Sequence, residues 1–138
     1  MFLCQVLSYS MEEQLSLVDS ELEEQLTGAC RTSVGDQLRS ITYFTPDAYQ
    51  QVYLRSDLEA DADLSGFVEQ ARDGFHARTA YRGSELGNYQ YTMRVFDRGY
   101  LVRVTGDDAG VFVTTDGMTI QRGSEVASAL RSVLERRD

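Results

Sequence analysis

Lysine is absent from this 138-residue chain: all 13 basic residues are arginine, set against 22 aspartates and glutamates. A soluble protein of average composition would carry roughly 8 lysines at this length. Codon usage could exchange lysine for arginine, but it would not also produce a formal net charge of -9. The two features together read as adaptation to salt, because carboxylates hold water where salt competes for it and the lysine stem adds apolar surface. At molar salt the Debye length is about 3 Å, so the self-repulsion of an acidic chain costs little. The expected source is an extreme halophile, an archaeon. The absence also excludes P-loop nucleotide hydrolysis, which needs the lysine of G-x-x-x-x-G-K-[ST].

Other residues are scarce. There is one proline, one histidine, no tryptophan and only two cysteines, Cys4 and Cys30, which stand far apart with no C-x-x-C. Two distant thiols and His76 cannot make a four-ligand zinc site, so they read as reduced cysteines in a cytoplasmic protein with no metal and no cofactor. His76 could complete a triad with Cys30 or a serine, yet no G-x-S-x-G elbow or Cys/His signature is present, and a helix-end or packing role is expected instead. Asp61-Ala62-Asp63 and Asp107-Asp108 lack the spacing of a calcium loop and read as solvated turns. Long apolar runs are missing too: the opening Met1 to Leu7 is far short of a membrane span and has no basic flank or cleavage site. With 42% hydrophobic residues the chain suits one domain over 1–138. Met11 precedes a plausible helix start, which leaves residues 1–10 either part of the domain or an upstream extension.

The periodicities that are present give an element order. Leu15, Val18, Leu22, Leu26 and Ala29 recur at helical spacing opposite Glu12, Glu13, Asp19, Glu21, Glu23 and Glu24, which predicts a helix over 11–28 stopped by Gly28. Segments 38–45 and 49–56 are β-branched and aromatic around Pro46-Asp47-Ala48 and predict a hairpin. A second helix is expected over 63–75 and a polar loop over 77–88. Strands 89–96, 100–105 and 110–115 then form a meander with tight turns. A short strand at 118–120 and a closing helix from near Ser124, with stripe Val126, Ala129, Leu130, Val133 and Leu134, complete α-β-β-α-β-β-β-α. The fold class is therefore α+β, a five-stranded antiparallel sheet with helices packed on it.

This element order resembles that of roadblock-like and, more loosely, profilin-like domains. The segment VGDQLRSITYFTPDAYQQVYLRSDLE, residues 34–59, together with the meander resembles a family of small acidic haloarchaeal proteins with no assigned activity, over roughly residues 33–135. The resemblance implies the fold and the habitat and no mechanism.

Strand alternation singles out one candidate face. With Arg98-Gly99 as a two-residue turn, 96 faces 101, 94 faces 103, and 103 faces 112. Met93, Val95, Val102, Val104, Val111 and Val113 then form the core side. The other side gathers Arg94, Phe96, Leu101, Arg103, Phe112 and Thr114, where paired arginines need an anion, a carboxylate or a partner. Three accounts fit: cover by the N-terminal helix with its carboxylates, a self-association surface, or a pocket for a small anionic ligand. The tyrosines, clustered at 43, 49 and 53 and again at 81, 89, 91 and 100, offer a second, weaker interface cue. Arg39 and Arg55 are expected to pair with Asp36 and Asp57. Nucleic acid and membrane are not expected partners. The resulting expectation is a non-catalytic regulatory or scaffolding module that dimerises or meets another protein, with Arg94, Phe96, Leu101, Arg103 and Phe112 as interface or ligand candidates. A small-molecule sensor is the alternative, and an enzyme comes third.

Overall fold

The computed structural model of the chain describes residues 17–58 and 64–137. Residues 1–16, with the proposed extension and the predicted first turns at Glu12, Glu13 and Leu15, lie outside the described residues, as do Asp61, Ala62 and Asp63. Helix α1 spans Ser20–Val34. Its start is set by Asp19, whose carboxylate accepts the Leu22 N–H at 2.8 Å, and Glu21 and Glu23 occupy the first turn where the helix dipole favours negative charge. The expected stop at Gly28 does not occur. Leu26 and Cys30 on either side of it are fully buried, and that packing outweighs a glycine penalty of about 1 kcal/mol. The helix ends instead at Gly35, whose φ of 57° side-chain-bearing residues rarely adopt.

A single 3-10 turn, Gly35–Gln37, leads into strand β1, Leu38–Phe44, which returns as β2, Tyr49–Leu54. The turn between them is closed by Thr45 N–H donating to the Ala48 carbonyl at 2.8 Å. The predicted second helix is two helices, α2 over Leu64–Ala71 and α3 over Asp73–Ala80, so the expected loop begins only after residue 80. The meander is β3, Thr92–Phe96, β4, Gly99–Thr105, and β5, Gly110–Thr115. Helix α4, Ile120–Arg137, starts earlier than expected and takes in the end of the segment read as a strand at 118–120. Thr119 begins it by accepting the Arg122 N–H on its hydroxyl at 3.0 Å.

All pairings in the sheet are antiparallel and the strand order is β2-β1-β5-β4-β3. The α+β class and the five-stranded sheet agree with the sequence reading. Three layers result. On one face α1 and α4 pack together over Leu38, Ile41, Val102, Val104, Val111 and Val113. On the other, α2 and α3 cover Phe44, Leu101 and Phe112 with Leu64, Val68 and Ala71. The N-terminal helix therefore does not cover the arginine face, as one account supposed; being joined to β1 it sits beside α4 on the valine side, and α2 and α3 take the arginine side.

Candidate functional site

The β3–β4 turn consists of Asp97 and Arg98, so Phe96 pairs with Gly99, Arg94 with Leu101 and Thr92 with Arg103. The expected register of 96 with 101 and 94 with 103 is off by two, because Gly99 is the first residue of β4 rather than part of the turn. A shift of two leaves every side chain on its face. Arg94 and Arg103 thus share the expected face as diagonal neighbours, and Arg103 opposite Phe112 is as read. Val95, expected in the core, is 71% exposed: β3 is the edge strand, and α2 meets its tip only at Phe96, on the opposite face.

The candidate residues separate into buried and exposed sets. Leu101 and Phe112 are buried beneath α2, and Arg103 is buried at 4% exposure. Arg94 is exposed, and Phe96, 47% exposed, stacks edge-on against Phe67 of α2 with ring centroids 6.1 Å apart. Arg103 donates to the Gln70 carbonyl at 3.3 Å, the Tyr89 hydroxyl at 3.0 Å and the Thr92 hydroxyl at 2.8 Å. Its Nε–H faces Gly74 on α3 and has no partner among the described residues. All three acceptors are neutral, and among the described residues no carboxylate pairs with either Arg94 or Arg103. A cavity of about 250 Å³ lies between α2 and β3–β4, lined by Phe67, Gln70, Ala71, Arg94, Phe96, Leu101 and Arg103.

A second cluster was not foreseen. Asp116, just beyond β5, accepts from Arg39 of β1 at 2.9 Å and from Arg55, beyond β2, at 2.5 Å, while Arg55 also holds Asp57 at 2.7 Å. The expected Arg55–Asp57 pair is present; Arg39 pairs with Asp116, and Asp36 pairs with Arg31 at 3.4 Å. Nothing in the sequence links positions 39, 55 and 116 until the order β2-β1-β5 brings the strand ends together. The hydrogen bonds from Arg55, and then those from Arg39, hold the Asp116 carboxyl below its usual 3.8. A carboxyl whose folded value is depressed contributes stability above its unfolded value, and that contribution is lost as pH falls through the folded one. Asp116→Asn is therefore expected to melt below the parent at about pH 6, with the gap closing below about pH 4 in a thermal denaturation series.

Cys30 and His76 stand on opposite sides of the sheet. Cys30 is on the buried face of α1, its thiol pushed up to about 12 by desolvation, whereas His76 is exposed on α3 across the sheet. The two cannot meet, which removes the Cys30–His76 triad. Among the described residues no group of three or more His, Cys, Asp or Glu could hold a metal ion, and no helix is long and apolar enough to cross a membrane.

Solved structures share the fold. The gliding protein MglB of Thermus thermophilus superposes with a TM-score of 0.57 at 15% identity, covering 88% of this chain and 97% of that one. Myxococcus xanthus MglB gives 0.57 at 11% identity over 88% and 96%. A further structure, MglB with tetrameric arrangement, gives 0.55 at 14% over the same shares. At such identities the likeness is one of fold, and it is the roadblock-like fold that the element order resembles. No curated protein matches the sequence. Residues 24–135 match the DUF7522 family, a domain of unknown function, and the chain belongs to that family.

Proposed function

We propose that this chain is a non-catalytic regulatory or scaffolding module that self-associates through the β3 edge. The observation that carries the reading is an open edge strand whose outer end presents two large apolar side chains, Val95 and Phe96. Unpaired edges of this kind invite another strand, and monomeric proteins usually block them with charge, proline or a bulge. Within β3 itself, Arg94 is the one charged residue and there is no proline. That MglB, of similar fold, is known in a tetrameric arrangement is in keeping with this.

The ladder selects a register. A two-residue hairpin closes on a hydrogen-bonded pair, here Phe96 with Gly99, so the alternation turns the N–H and C=O of Met93 and Val95 outward. An isologous pair of β3 strands centred on Val95 sets Arg94 of one copy opposite Phe96 of the other, a cation over a ring. Centring it one residue earlier would set Arg94 against Arg94, which like-charge repulsion disfavours.

Val95→Pro tests this directly. Proline at an outward N–H removes an intermolecular donor and leaves the β3–β4 ladder intact. Expected is a dimer for the parent and a monomer for the variant in sedimentation velocity, with the melting temperature within a few degrees at equal monomer content. An unchanged sedimentation coefficient would remove the β3 edge from the account. Placement in the cytoplasm of a halophile, read from the cysteines and the acid excess, belongs to this proposal and rests on composition alone.

A further inference from the structure

Arg103 presents a physical problem that the fold alone leaves open. A guanidinium at 4% exposure loses its hydration, and a buried charge is normally paired with an opposite one. Around Arg103 there is a carbonyl, two hydroxyls and, among the described residues, no carboxylate. The bond to Gln70 is long at 3.3 Å; Nε–H, unmatched among the described residues, faces Gly74 rather than the cavity. A second arginine stands diagonally across the ladder with no acidic partner among the described residues. Diagonal neighbours on one sheet face lie about 7–8 Å apart, so each raises the cost of the other's charge. In a chain of net charge -9, where acids are plentiful, two arginines sharing one cavity with no acid among the described residues point to an anion supplied from outside.

The cavity wall identifies the rest of that anion. Phe67, Ala71, Phe96 and Leu101 line it beside the two arginines. Phosphate or sulfate alone would leave these apolar surfaces wet. A cavity of about 150 Å³ takes a benzene, so 250 Å³ fits a ring or short aliphatic body plus one charged group. A planar carboxylate matches the fork of an arginine.

We propose that the cavity between α2 and β3–β4 binds a small amphipathic carboxylate, its apolar body against Phe67, Phe96 and Leu101 and its charge toward Arg94 and Arg103. The site goes beyond self-association and does not depend on it, since every lining residue comes from one chain. Arg94 is the accessible arm, able to close over the entrance from the edge strand. Arg103 is the fixed arm, tied to the α2 backbone at Gln70 and to the entry of β3 at Thr92. A bound carboxylate would therefore brace α2 against β3.

The test uses the whole chain at the lowest salt at which it stays folded, with sodium benzoate as probe and benzamide as its neutral isostere, followed by amide chemical shifts. Benzoate is expected to move the amides of residues 70, 94, 101 and 103 with a Kd of about 1 mM or tighter. Benzamide is expected to bind at least about ten-fold more weakly, since only the charge-assisted bonds distinguish the two. Arg103 substitutions risk the fold, so the variant is Arg94→Gln, which should weaken benzoate at least about three-fold toward the level of benzamide, the remaining preference resting on Arg103, while the spectrum remains that of a folded chain. The proposal is overturned by equal binding of the two probes, by shifts confined to other residues, by an unchanged benzoate affinity in Arg94→Gln, or by no binding at all. Because the titration is also run on Val95→Pro, a failure of self-association leaves this result readable on its own.

Discussion

Phe112→Ala is expected to lower stability by about 3–5 kcal/mol, read as a reduced urea midpoint in far-ultraviolet circular dichroism at unchanged slope. On the sequence Phe112 belongs to a candidate interaction face; in the fold it is 1% exposed. Its ring packs against Phe44 at 6.1 Å and Phe67 at 6.3 Å between centroids. β5 is the central strand and Phe112 sits midway along it, so α2 and the sheet cannot close over the vacated volume without separating elsewhere. Against a total of roughly 5–15 kcal/mol, the loss takes a large share. A cost below about 1 kcal/mol, the range of surface positions, would mean that α2 does not cover this face.

Gly110→Val is expected to cost about 3 kcal/mol or more, the upper end of overpacking. Gly110 opens β5 between Phe44 and Thr105 of the flanking strands. A Cβ there would run into the Phe44 ring and stand 2.9 Å from the Val104 carbonyl oxygen. The ring has little room to yield, being fully buried and edge-on to Phe75 at 5.5 Å. Combining the change with Phe44→Leu should recover part of the loss, giving a coupling of about 1 kcal/mol in a double-mutant cycle, whereas additive costs would show that the ring is not the obstacle.

Much of the architecture follows from local pattern. The three meander strands, both hairpin strands and the stripe of α4 are legible because alternation and helical period each commit a face to the core. The errors arise where tertiary contacts decide. The break between α2 and α3 is marked in the sequence only by Asp73-Gly74 just after it; Arg72 at the break donates to the Thr45 carbonyl at 3.0 Å and the Ala48 carbonyl at 3.4 Å, tying it to the β1–β2 turn. Helix α1 runs through Gly28 because its neighbours are buried against α4, a fact of packing rather than propensity. The shared face of Arg94 and Arg103 is legible because parity survives a register error of two. Their burial is not, since it depends on which helices lie on which side, and that follows from the strand order. Asp116 reads only as the first half of a turn, and its role as the acceptor joining Arg39 and Arg55 emerges once β5 lies beside β1.

The most direct test of the central claim is multi-angle light scattering on a size-exclusion column, run on the parent chain in about 2 M KCl, where screening removes long-range repulsion between acidic copies. A mass of twice the 15.5 kDa chain, held as the loading concentration falls a hundred-fold, is the result that a module pairing through its β3 edge predicts. A mass of one chain at every concentration would contradict it.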